Sequence, residues 1–188
     1  MTSILEVEQL DTLSSNASST LTIGGTNTTT IAFGPNVTTT PSSLANTPAF
    51  KARLTASQSI PNATLTKINL NAEDIDTDNA FDISNYKFTV PSGKDGVYLI
   101  GYSLATDAVI DDTERLFGRI YLNGAGQLYT TANDWSPSAS NDMFVNLSVI
   151  MDLSVGDYLE LYMYHNEGGA INCNPSYTRL WGYKLIGA

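Results

Sequence analysis

Strands that are apolar on both faces constrain this chain more than any other feature. Gly96-Val97-Tyr98-Leu99-Ile100-Gly101-Tyr102 and Tyr158-Leu159-Glu160-Leu161-Tyr162-Met163-Tyr164 each carry large apolar side chains at odd and even positions alike. Successive side chains of a strand point to opposite faces. One face of such a strand is buried by an opposing sheet. The other requires a second cover, and a neighbouring copy of the chain is the simplest supply. Helical periodicity is almost absent beyond residue 49, so the expected fold is all-β, a double-sheet sandwich or jelly roll that associates with itself.

The strands follow from alternation and turn signals. Phe50 to Leu54 opens the series, and Leu65 to Leu70 places three aliphatics on one face. Tyr86 to Val90 ends at the turn cluster Pro91-Ser92-Gly93, and Gly96 to Ala108 is long. Arg115 to Leu122 leads into Asn123-Gly124, the strongest hairpin signal in the chain, with Gln127 to Ala132 as its partner. Met143 to Leu153, Tyr158 to His165 and Arg179 to Ile186 complete about eight or nine strands.

The first 47 residues obey a different grammar. They are rich in Thr, Ser, Asn and Gly, and Phe33 is their only aromatic residue. Thr20-Leu21-Thr22-Ile23-Gly24 is echoed by Thr30-Ile31-Ala32-Phe33-Gly34, each copy followed by a turn. Strands this short cannot bury Leu21, Ile23, Ile31 and Phe33 alone, but three chains wound around one axis can. Residues 14–47 are therefore read as an intertwined β stalk and linker, with disorder as the competing reading. Residues 1–13 place Ile4, Leu5, Val7, Leu10 and Leu13 near helical spacing. They fit an anchoring segment on a larger assembly or an unstructured tail, and the sequence does not choose. Residues 48–188 are the head.

Charge narrows the partners. Nine Lys and Arg against nineteen Asp and Glu give a net charge of -10, which argues against nucleic acid, whose phosphates require a basic face. The start has no basic region followed by an apolar run, and no window is long and apolar enough to span a bilayer. The expectation is synthesis in a cytoplasm without an export signal, and no membrane insertion.

Residues 49 to 188 resemble the C1q/TNF-like globular domain. Leu70, Asp76, Phe81 and Phe88 keep the spacing of that family's signature, and Gly96, Tyr98, Ile100 and Tyr102 supply its Gly-x-Tyr strand. Leu70 and Ile100 stand where the family has Phe, and two extra residues separate Phe88 from Gly96. Gly156-Asp157-Tyr158-Leu159-Glu160-Leu161 is similar to the family's Gly-Asp element, and Leu180-Trp181-Gly182-Tyr183 to its closing strand. The resemblance implies a homotrimeric jelly roll and no enzyme. The Thr-rich repeat joined to such a head resembles short bacteriophage fibre and decoration proteins. The expected function is then that of a virion structural protein on the virion surface. The N-terminus would attach to capsid or tail proteins, and the head would bind a host surface and its glycans. A free lectin-like module and a polysaccharide-degrading enzyme are the alternatives.

Candidate sites are few. Asp74, Asp76 and Asp78 at alternate positions imitate the start of a calcium loop, because hard cations take carboxylate oxygens. Asn79 and Asn85 stand where an EF-hand needs Gly and Glu. The competing reading is a solvated acidic loop, so calcium is the one candidate cofactor and none is required. Tyr129, Trp135 and Tyr177 are candidate sugar-stacking aromatics, with ordinary turn packing as the alternative. His165, at the end of its strand next to the loop Asn166-Glu167-Gly168-Gly169, and Cys173, in a loop-like context, are each the only one of their type and too few for a zinc site or a triad.

Overall fold

Alternation along the strand Gly96–Ala105 sets the architecture. Tyr98, Ile100, Tyr102 and Leu104 are buried, while Val97, Leu99 and Ser103 turn to the opposite side. A computed structural model describes residues 46–107, 115–132 and 143–185, with 127–132 described as backbone. Among them are thirteen strands and no helix. These are β1 (Ala49–Arg53), β2 (Gln58–Ile60), β3 (Thr66–Lys67), β4 (Ala72–Asp76), β5 (Phe81–Asp82), β6 (Lys87–Thr89) and β7 (Gly96–Ala105). Then follow β8 (Leu116–Leu122), β9 (Ala125–Ala132), β10 (Phe144–Leu153), β11 (Tyr158–His165), β12 (Ile171–Cys173) and β13 (Arg179–Lys184).

The strands form two main sheets. One has the order β10-β7-β13-β1-β4, the other β5-β6-β11-β8-β9 with β3 added beside β11, and β12 and β2 make a small third sheet. All pairings are antiparallel. Phe50, Ile100 and Leu180 from the first sheet meet Phe88, Ile120, Leu159 and Leu161 from the second in one core. The Phe50 and Phe88 rings stack at 4.1 Å, an arrangement worth about 0.5–1.5 kcal/mol beyond the area buried. The buried tyrosines satisfy their hydroxyls. Tyr102 donates to the Gly118 carbonyl at 2.7 Å, and Tyr98 donates to the Lys94 carbonyl.

The Asn123-Gly124 hairpin forms where its sequence placed it, with φ of 53° and 76° suited to the tight turn. The Asn123 side chain then laces this turn to the next. Its Nδ2 donates to Asp157 at 2.7 Å, and its Oδ1 accepts from the Tyr158 amide at 3.0 Å.

Several expectations need correction. Only Thr66–Lys67 of the Leu65–Leu70 run pairs as a strand, because the Leu70 amide turns back to the Ile68 carbonyl. Three of the short elements, β2, β5 and β12, with two or three residues each, fall outside the strands expected from sequence and carry no readable period. Cys173 ends β12 and is fully buried rather than in a loop, while His165 ends β11, as its strand is read from sequence, and is fully buried too. Asp74 and Asp76 of the expected acidic loop lie in the edge strand β4, while Asp78 lies in the turn that follows it.

Candidate functional site: two sheet faces and an acidic edge

The acidic edge is built from the β1–β4 pairing. A register shift between Lys51 and Ala52 leaves Asp74 without a partner residue. Its carboxylate reaches Lys51 Nζ at 3.0 Å and Arg53 Nε at 2.8 Å. The hydrogen bond from Lys51 lowers the Asp74 pKa most, against the opposing effect of burial, with Arg53 adding to the lowering. Asp76 accepts hydrogen bonds from the amides of Ala80 and Phe81, both at 2.9 Å, and so ties the following turn. Asp78 pairs with Lys94 at 3.2 Å. The three carboxylates named as candidate calcium ligands therefore turn to three different sets of partners. Among the described residues no three His, Cys, Asp or Glu side chains gather around one point.

The outward face of the five-stranded sheet has one apolar cross-strand row and, beside it, a mixed row in which Trp181 and Ile75 flank the ion-paired Lys51. Ile150 pairs with Leu99, Leu99 with Tyr183, and Tyr183 with Ala49. In the neighbouring row Gly101 pairs with Trp181, Trp181 with Lys51, and Lys51 with Ile75. Residues paired directly across antiparallel strands share a face, so each row is one continuous surface. Ile150 is 64% exposed and Ile75 50%. The Trp181 indole lies over Gly101, where an added Cβ would come within 2.2 Å of its ring. At the end of the same face Phe144 and Tyr177, both 45% exposed, meet edge to face at 5.1 Å.

The outward face of the six-stranded sheet is aromatic and cationic. Phe117 stacks on Tyr164 at 4.8 Å, and the Tyr121 and Tyr162 rings meet at 4.2 Å, tilted by 33°. The Arg119 guanidinium lies 5.3 Å from the Phe117 ring centre and Lys87 Nζ 4.7 Å from that of Tyr158. Lys67 joins Glu160 at 2.5 Å. Burial, then Glu160 and the neighbouring tyrosines Tyr121 and Tyr158, push the Tyr162 phenol up.

The predicted sugar-binding aromatics are not brought together by what is described. Tyr177 sits beside Phe144 at the end of the five-stranded sheet. Tyr129 belongs to β9 of the other sheet, in register with Arg119. Trp135, the anchor residues Ile4, Leu5, Val7, Leu10 and Leu13, and the stalk residues Leu21, Ile23, Ile31 and Phe33 lie outside the described residues. The individual residues of the two outward faces, such as Ile150, Trp181 and Arg119, were not singled out from sequence. The available signal was the second apolar register of the same strands.

His165 and Cys173 have structural surroundings. His165 Nε2 bonds the Ile60 carbonyl at 2.8 Å, and Nδ1 accepts from the Glu167 amide at 3.3 Å. Burial foremost raises the Cys173 thiol to about 11, with Thr178 Oγ1 at 3.1 Å. A thiol so protonated is a poor nucleophile.

Comparison with known proteins places the fold. No protein-family profile matches the chain. A 109-residue stretch, 55% of the chain, is 33% identical to the uncharacterized protein YqcC of Bacillus subtilis (strain 168), of which it spans only 28%. Among solved structures, the globular domain of zebrafish complement 1qA protein superposes with a TM-score of 0.55 at 16% identity, over 73% of this chain and 97% of that one. Eiger TNF from S. frugiperda gives 0.54 at 13% identity, over 74% and 92%. Murine APRIL gives 0.55 at 13%, over 73% and 98%. At these identities the likeness is one of fold, and the fold of the head is a C1q/TNF-like jelly roll.

Proposed function

We propose that this chain is a phage virion structural protein, a homotrimeric fibre or capsid or tail decoration protein that projects a jelly-roll head for surface adhesion or host binding. The observation that carries this reading is the outward face of the five-stranded sheet. Its row Ile150-Leu99-Tyr183, with Trp181 and Ile75 beside it around the ion-paired Lys51, exposes large apolar side chains of the kind that proteins cover by association. The Thr-rich repeat supports the fibre part of the reading, since Leu21, Ile23, Ile31 and Phe33 need several chains to be buried. A bacterial relative is consistent with a microbial setting. In this reading the N-terminal segment engages other virion proteins, the head faces outward, and neither catalysis nor calcium is required.

Small-angle X-ray scattering tests the division of labour. The intact protein should be elongated, with a trimer's mass. Changing Leu21, Ile23, Ile31 and Phe33 together to Ser should shorten the particle and leave the strand signal of the head in circular dichroism. If the head unfolds with the stalk, or if the intact protein is compact, the division into stalk and head is wrong.

A further inference from the structure

Two phenols meet on the outward face of the six-stranded sheet. Tyr121 of β8 pairs directly across from Glu160 of β11, which makes Tyr162 its diagonal neighbour on the same face. Their ring centres lie 4.2 Å apart, with the planes tilted by 33°. At that separation carbons of the two rings are in van der Waals contact, at about 4 Å. Both side chains are partly exposed, so an oxidant in solvent can act on them.

The arrangement is particular to these two residues. Among the ring pairs of the described residues, only Tyr121 and Tyr162 set one phenol against another. Phe117 and Tyr164 stack on the same two strands at 4.8 Å, but Phe117 has no hydroxyl. Tyr158 lies under Lys87 instead. Strand β9 helps to hold the Tyr121 ring. Tyr121 pairs with Gly126, where an added Cβ would come within 3.2 Å of Tyr121 Cε2, so the ring takes space that a side chain at position 126 would fill. The chain also has one cysteine, which is buried, and so holds no disulfide within itself. A phenol pair offers another covalent tie between strands.

We propose that Tyr121 and Tyr162 form an oxidative cross-linking site, converted by hydrogen peroxide and a peroxidase into a dityrosine that joins β8 to β11. Each phenol loses one electron and its hydroxyl proton, leaving two phenoxyl radicals. These couple through one Cε of each ring, forming a single carbon–carbon bond. Each coupled carbon then gives up its hydrogen as a proton, and each phenolic oxygen regains one, which restores both hydroxyls. The two electrons and two protons that leave reduce one peroxide to two waters. The chain supplies only the two rings and their placement, so the inference does not depend on the virion reading.

Treatment of the full chain with hydrogen peroxide and a haem peroxidase tests the proposal. The intact mass should fall by two hydrogens. Dityrosine fluorescence should appear in protein that still runs as single chains on a denaturing gel. Cleavage after glutamate separates Tyr121 from Tyr162 at Glu160, so the peptides carrying them should come off joined. Tyr121→Phe and Tyr162→Phe each keep the ring and should each lose the joined peptides, whereas Tyr177→Phe should keep them. Protein oxidised in unfolding urea should lose them too, because only the fold brings the two rings together. The proposal is overturned by an unchanged mass, by joined peptides that persist in either of the first two variants or in urea, or by cross-links formed only between chains.

Discussion

At the scale of single residues, similar carboxylates do different work. Asp76 satisfies the amides of Ala80 and Phe81, two nearly buried residues, whereas Asp74 makes ion pairs at the surface. Asp76→Ala strands those amides and should destabilise the head by about 1–3 kcal/mol in urea unfolding. Asp74→Ala should cost no more than about 1 kcal/mol. Equal losses would show that the turn is held by something else. Tyr98 governs the alkaline limit. Burial first, then Asp78 and Asp95, raise its phenol from 10.0 to about 12. Because the folded value is the higher one, this stabilisation is complete below pH 10 and is lost as pH rises through about 12. Stability measured across that window should fall in the native protein. It should fall less in Tyr98→Phe, and identical profiles would remove Tyr98 from the explanation.

At the scale of elements, the closing strand depends on a glycine. An added Cβ at Gly182 would lie 2.5 Å from Ile100 Cδ1 and 2.9 Å from the Leu99 carbonyl oxygen, and the backbone cannot give way. Gly182→Ala should therefore destabilise by about 1–3 kcal/mol in a denaturant titration. A neutral result would mean that β13 can shift against β7. Long strands such as β7, β10 and β11 were legible in the sequence because aliphatic and aromatic residues run on for eight or ten positions between turn signals, with little helical period. The Asn123-Gly124 turn was legible because left-handed geometry selects those residue types. The strand β4 was not. Glu73, Asp74 and Asp76 are poor strand formers, and what pairs the segment is an edge position beside Lys51 and Arg53, which only the fold supplies. The candidate site was legible as a surplus of apolar positions, but not in its membership. Which of Leu99, Trp181 or Tyr162 meet depends on register between strands far apart in sequence.

At the scale of the whole molecule, the two sheet faces differ. The five-stranded sheet exposes apolar side chains, the surface on which the proposed self-association rests, and the six-stranded sheet exposes aromatic rings beside Lys87 and Arg119. Ile150 is the most exposed large apolar residue among those described, at the β10 end of a cross-strand row. Ile150→Asp should leave the core intact, since the side chain points away from it, and should dissociate the assembly. A variant that keeps its native mass would place the interface elsewhere.

The central claim is self-association through a pre-formed apolar face, and the mass of the purified protein in solution tests it most directly. For a chain of 20.2 kDa, light scattering should give about three times that value, unchanged by EDTA because Asp74, Asp76 and Asp78 are held by protein groups. A mass of one chain would contradict the account, leaving an isolated jelly roll with an uncovered apolar face. A trimer that dissociates in EDTA would contradict the assignment of the acidic edge.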